Sequence, residues 1–224
     1  MERNPRGREA RLRPLRRSMM GIAAGLVCAA SALAQDWQYR RDDSKWRLEA
    51  RNIAGERLEE LRVTADIPAP PALVSEVLMR EALDEVPAAT RRTFISRSAE
   101  AALLADRFTS AGITDRCYLM QYGKVPGADP TLRVQFATQE FARHGLPDPA
   151  GCVPMRSRGE WSLTATGQGT RVVYVSHTDP GGQLPAFLVR RSLEDAVVRN
   201  VENVAAAALR RTTGARGIHS PAQP

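Results

Sequence analysis

Apolar and polar residues alternate with a period of two along most of this chain, and the period lengthens to that of a helix in only two places. In the segment 46–52, Trp46, Leu48 and Ala50 alternate with Arg47, Glu49 and Arg51. In 58–67, Leu61, Val63, Ala65 and Ile67 alternate with Glu60, Arg62, Thr64 and Asp66. Each reads as a strand with one apolar and one wet face, joined by a turn at Ala54-Gly55. Trp37 and Tyr39 mark a short N-terminal segment that packs on this core. Pro68, Pro70 and Pro71 then stop the second strand and open a helix over 72–81, with Leu73, Val74, Val77 and Leu78 on one stripe.

Further strands are expected at 92–98, 101–108, 115–122, 132–141, 153–166 and 171–178, with turns at 123–130 and 167–169 and a long loop at 142–151. Residues 99–105 are alanine- and leucine-rich, so intrinsic propensity also permits a helix there. The strands form an antiparallel meander. The last one ends at Asp179-Pro180-Gly181-Gly182, where Pro180 fixes φ and the two glycines permit conformations closed to other residues. A helix follows from Pro185, which suits a first helical turn, to about 209–211. At 100° per residue Leu193, Val197, Val201 and Val204 share its apolar stripe, with Asn200 in the middle. The fold class is α+β, a helix lying across an antiparallel sheet.

The passage Asp179-Pro180-Gly181-Gly182 followed by Leu184-Pro185-Ala186-Phe187-Leu188-Val189 resembles the junction between the last strand and the C-terminal helix of StAR-related lipid-transfer (START) domains. The preceding hairpin, Gly159-Glu160-Trp161-Ser162-Leu163-Thr164 and Thr170-Arg171-Val172-Val173-Tyr174, is similar to that family's last two strands. The resemblance covers 159–204 best, 46–78 more loosely and 80–115 least, where Leu83 to Ala89 lacks the aromatic residue usual in the family. It implies a helix-grip fold, a curved sheet wrapped around the C-terminal helix, and a cavity beneath that helix for a lipid or other apolar molecule.

Charge and cysteine content are read differently once the N-terminus is set aside. Residues 1–34 combine a basic region (Arg11, Arg13, Arg16, Arg17), an apolar run at 19–30 and Ala32-Leu33-Ala34, the form of a cleavable signal peptide cut after Ala34. That implies export to the periplasm. Of the 32 basic and 25 acidic residues, seven arginines and two glutamates lie in this leader, leaving 25 and 23 for the rest. The near balance, with basic doublets scattered at 91–92, 190–191 and 210–211, gives no nucleic-acid-binding face. The expected domains are therefore a signal peptide (1–34), one START-like domain (35–211) and a disordered polar tail (212–224). Cys117 and Cys152 remain in an oxidising compartment. The meander puts a strand between them, about 9 to 10 Å, so a disulfide requires the loop before Cys152 to curl over; two buried thiols are the alternative.

Ligand-binding candidates are Asn200, Val197, Val204 and Leu193 on the helix, with Trp161 and Tyr174 on the last hairpin. Asn200 either bonds a sheet side chain or buried water, or meets the polar head of a ligand. Asp179, Pro180, Gly181 and Gly182 are the expected gating turn. Glu160 and Arg133 face outward or form an internal charge pair. His177 and Asp179 share a strand face without a nucleophile beside them, and no phosphate loop, dinucleotide fingerprint or Ser elbow is present. No catalytic residue, metal site or cofactor is expected. A monomer that binds a lipid or apolar small molecule, with transient membrane-surface contact, is the leading expectation. A cavity enzyme of the same superfold and an envelope module with a filled cavity are the alternatives. If the leader is read correctly, protein recovered from the periplasm begins at Gln35 on N-terminal sequencing; an intact Met1 would refute cleavage.

Overall fold

The computed structural model describes residues 36–126 and 131–217, so the leader, the tip of the turn at 127–130 and residues 218–224 lie outside it. In chain order the elements are β1 (Gln38–Asp42), β2 (Trp46–Arg51), β3 (Glu60–Ile67), α1 (Pro71–Val77) and a π-helical turn (Leu78–Ala82). Next come β4 (Thr90–Arg97), β5 (Ala101–Ser110), β6 (Ile113–Val125), β7 (Thr131–Gln139), a short 3-10 turn (Phe141–His144) and β8 (Cys152–Pro154). The chain continues with β9 (Arg156–Thr166), β10 (Gly169–Asp179) and α2 (Ala186–Gly217). One sheet runs in the order β1-β2-β3-β10-β9-β7-β6-β5-β4, all antiparallel, with β8 attached in parallel to β6.

The alternation sets which face is buried. Leu48, Leu61, Val63, Ile67, Leu104, Val134, Leu163 and Val172 are sealed in the core, while their strand neighbours face outward. Residues 101–105 form strand and not helix. Hydrogen-bonded partners on both sides, β4 and β6, override the local helical propensity there. The helix expected over 72–81 widens to a π turn at Leu78, which turns both Leu78 and Met79 inward.

Helix α2 runs to Gly217, so the disordered tail expected from residue 212 is corrected for 212–217. Thr212 and Thr213 donate their hydroxyls back to the Ala208 and Leu209 carbonyls and stay in the helix. The helix seats on β2, β3, β10, α1 and the π turn. Its rim is pinned by Arg41 to Asp195, Trp46 Nε1 to Glu202 (3.0 Å), Arg190 to Glu59 (3.2 Å) and Arg211 to Glu81 (2.7 Å). Such partly exposed pairs contribute little each, about 0 to 1 kcal/mol, but together they fix where the helix lies.

The spacing expected between Cys117 and Cys152 is also corrected. Because β8 pairs directly with β6, no strand intervenes at that end, and the two cysteines are disulfide-bonded with Cα atoms 5.9 Å apart. Across the sheet Phe136 stands opposite Gly159, whose missing side chain makes room for the ring. A Cβ there would lie 2.4 Å from Phe136 Cζ and 2.1 Å from the Val175 carbonyl oxygen. Gly167, in the β9–β10 turn, has nothing within 4 Å of such a Cβ. Gly159→Ala is therefore expected to cost about 2 kcal/mol or more and lower the melting temperature by roughly 4–8 °C. Gly167→Ala should leave it within about 1 °C, and equal melting of the two variants would contradict this packing.

Candidate functional site

The face that α2 turns to the sheet is built from Val197, Val198, Val201, Val204, Ala207 and Ala208, all buried. Leu193 is half-buried. Asn200, expected in the middle of the stripe, sits instead on its flank and is largely exposed. The buried stripe is centred closer to Val201, so the flank bearing Leu193 and Asn200 borders open space. From there Asn200 donates through Nδ2 to the Tyr174 hydroxyl, 3.3 Å away.

Tyr174 begins an aromatic row on the concave face. Its ring stacks on Trp161 with centroids 4.0 Å apart, lies 5.8 Å from Phe136, and Phe136 in turn stacks on Tyr122 at 5.4 Å. Trp161 and Tyr174 are both buried. Tyr122 and Tyr118 are half-buried.

Beyond Tyr122, three polar side chains stand directly opposite one another on β4, β5 and β6: Arg92, Asp106 and Tyr118. Arg92 grips Asp106 with two hydrogen bonds, Nε to Oδ1 at 2.8 Å and Nη2 to Oδ2 at 2.6 Å, and its Nη1 donates to the Leu83 carbonyl. Tyr118 donates to the same Oδ2 at 2.6 Å. The Asp106 side chain has no exposure and that of Arg92 only 13%. Burial works against the Arg92 charge, but the bonds and charge of Asp106 outweigh it and hold the guanidinium pKa above its ordinary value. Burial, and after it the Asp106 charge, push the Tyr118 hydroxyl well above the usual phenol range. Burial likewise raises Tyr122 and Tyr174.

Sequence reading missed this trio. The signal was present: in the β5 alternation Ala102, Leu104, Asp106, the carboxylate occupies an apolar phase. Glu160 and Arg133, read as outward-facing or as an internal charge pair, face outward, where Arg133 and Gln135 bond the carboxylate. His177 and Asp179 do not meet. The His177 ring is buried against the Leu58 carbonyl, whereas Asp179 takes Arg57.

The turn after β10 is sharp because Gly181 and Gly182 both adopt left-handed φ, 70° and 68°. It is also held tightly. The Gly181 amide donates to Asp179 Oδ1, Arg57 bridges Asp179 and the Leu184 carbonyl, and Arg116 Nε donates to the Pro180 carbonyl at 2.9 Å. Gly181 packs against Val153 and Pro154 of β8, the strand that the disulfide ties to β6. A cavity of about 710 Å³ opens beside that disulfide, walled by Tyr118, Thr138, Phe141, Pro149, Cys152 and Met155. A shallower one, about 500 Å³, lies on the outer face of the sheet beside Gln121, Gln135 and Glu160. Neither is lined by Leu193, Val197, Asn200 or Val204, but the larger one shares Tyr118 with the buried trio.

No family model matches the chain. An uncharacterized protein of Pseudomonas aeruginosa is 28% identical over 215 residues, covering 89% of this chain and all of the relative. Among solved structures, the STAR-related lipid transfer protein of Xanthomonas axonopodis is similar with a TM-score of 0.66 at 19% identity, over 77% of this chain and 98% of that one. Human StAR-related lipid transfer protein 5 is similar with a TM-score of 0.65 at 16% identity, over 79% and 88%. The chain has the helix-grip α+β fold of START domains.

Two outcomes follow from the buried groups. Asp106→Ala leaves a buried guanidinium without its partner and should cost about 3–5 kcal/mol, and Arg92→Met with Asp106→Leu should recover most of it; equal melting of the single and double variants would oppose this. The second concerns alkaline pH. A phenol whose pKa is raised in the folded state stabilises the fold below its unfolded pKa, near 10, and loses that contribution as pH rises through the folded value. Stability should therefore fall steeply above about pH 10, with phenolate absorbance appearing together with unfolding, and Tyr118→Phe should shift both to higher pH.

Proposed function

We propose that this chain binds a lipid or similar apolar molecule, non-covalently, between the open flank of α2 and the β4–β6 half of the sheet. The observation that carries the reading is the aromatic and polar row from Asn200 through Tyr174, Phe136 and Tyr122 toward Tyr118, on the face of the sheet that α2 borders. Its setting is a fold shared with lipid transfer proteins. Burial of apolar ligand surface at about 25 cal/mol per Å² would drive binding. The 710 Å³ cavity that reaches Tyr118 is of the size that small-molecule sites use.

Entry takes place at the Asp179 to Gly182 turn, with Arg57 and Arg116 as its latch. Phe187 and Leu188, exposed at the start of α2 beside that turn, provide a transient contact with a membrane surface. The protein works as an exported, periplasmic monomer, a reading that rests on the leader and on the Cys117–Cys152 bond.

The test is lipid extraction. Mature protein incubated with vesicles of total bacterial membrane lipid and then separated from them should carry lipid detectable by mass spectrometry. Leu193→Trp, which fills the flank without touching the sealed core, should abolish the uptake while leaving the circular dichroism spectrum unchanged. Protein that emerges lipid-free, or uptake unaffected by the Trp, would contradict the site. Arg57→Ala should speed exchange of bound lipid with fresh vesicles, and an unchanged exchange rate would move the gate elsewhere.

A further inference from the structure

Arg116 is a buried cation that no carboxylate neutralises. It is 5% exposed, and its neighbours across the ladder are Phe108 on β5 and Val153 on β8, neither of which is charged. Its Nε donates to the Pro180 carbonyl at 2.9 Å and its Nη1 to the Thr114 carbonyl, both neutral acceptors. The carboxylates beside it are already engaged. Asp115 is held by Arg107 at 2.6 Å, and Asp179 by Arg57 at 3.1 Å and by the Gly181 amide at 3.0 Å. Arg57 and Asp179 balance each other, so the turn keeps the charge of Arg116. Buried charges are ordinarily paired.

The free end of this side chain has a direction. Nη2 bonds to nothing among the described residues and lies 3.5 Å from the point that a Cβ on Gly182 would occupy. Gly182 is itself exposed, so its missing side chain leaves a window from solvent onto a guanidinium that is otherwise covered. Helix α2 starts just beyond, at Ala186, and its 32 residues bring the positive end of their dipole to the same turn.

We propose that Arg116 and the turn over it form a binding site for an anionic oxygen group, a phosphate or a carboxylate. An oxygen in the window at Gly182 accepts from Nη2 and supplies the missing counter-charge, and the bonds to the Thr114 and Pro180 carbonyls stay in place. Hydrogen bonds between charged partners are about twice as strong as neutral ones. The window opens on the turn and not into either cavity, so the site does not depend on how an apolar ligand is held. The same chemistry can reach it from two sources, the head of a phospholipid or a free phosphate-bearing solute.

The experiment titrates inorganic phosphate into isotope-labelled mature protein and follows the amide and arginine Nε–H signals by NMR, with sodium chloride at matched ionic strength as the reference. The expected result is a saturating shift centred on Gly181, Gly182 and the Arg116 Nε–H, with a dissociation constant of about 1–10 mM and no such shift in chloride. Gly182→Asn closes the window. Asparagine tolerates left-handed φ, its Cβ would make only ordinary contacts, at 3.5 and 3.8 Å, and both carbonyl bonds of Arg116 remain. This variant should keep the wild-type spectrum elsewhere and bind phosphate at least about ten-fold more weakly. Dihexanoyl-phosphatidylglycerol and dihexanoylglycerol, which lacks the phosphate, separate the sources. Shifts at the same signals with the phospholipid binding at least about ten-fold more tightly than phosphate assign the site to a lipid head; affinity no better than that of phosphate assigns it to a free solute. Phosphate bound at the turn with no response to either short-chain lipid would support this site while counting against lipid uptake. Shifts that match those in chloride, that scatter over exposed arginines as for an adventitious ion only, or that persist undiminished in Gly182→Asn would overturn the proposal.

Discussion

A single helix cannot cover a sheet of this width, and much of the structure follows from that constraint. Nine hydrogen-bonded strands at about 4.8 Å spacing span roughly 40 Å, against about 10–12 Å for a helix with its side chains. Here α2 is committed to β2, β3 and β10, with α1 and the π turn beside it. The concave face of β4, β5 and β6 is covered by the π turn and the segment after it: Ala102, Leu104 and Met120 are buried there, and Arg92 and Arg97 bond the carbonyls of Leu83, Met79 and Arg80. Burial leaves Arg92 and Asp106 to satisfy each other, and Tyr118 joins them in a line across three strands.

The junction after β10 shows the same coupling of local chemistry to long-range packing. Two left-handed glycines let the chain reverse, but its position comes from β8, against which Gly181 is pressed, and from Arg116, which holds the Pro180 carbonyl. The Cys117–Cys152 bond fixes β8 to β6. The start of α2 is therefore referenced, through a turn, a three-residue strand and a disulfide, to the half of the sheet that the helix does not touch. Any widening of the space between them has to work against these attachments.

Much of this was legible in the sequence. The period-two alternation at Trp46 to Ala50 and Leu61 to Ile67 locates β2 and β3, and Asp179 to Gly182 with Pro185 locates the end of the sheet and the start of α2. Alternation reports which face a side chain takes, and it does so for each strand alone. It does not report what stands opposite, so the line from Arg92 to Tyr118 needed the register of β4, β5 and β6. Asp106 on an apolar phase was the visible clue. Asn200 was misplaced because an ideal 100° projection assigns the stripe's centre from hydrophobicity, whereas the helix rotated to bury Val198 and Val201 and left Leu193 and Asn200 at the edge. The adjacency of β8 and β6 was hidden because three residues carry too little pattern to be distinguished from loop.

The central claim is that the protein holds an apolar molecule on the concave side of its sheet, beside α2. Native mass spectrometry of the protein purified gently from cells addresses it most directly. The account predicts a discrete adduct of a few hundred daltons, in the range that sites of several hundred Å³ accept, which is released when the protein is denatured. A clean mass for the unliganded chain under the same conditions would contradict it.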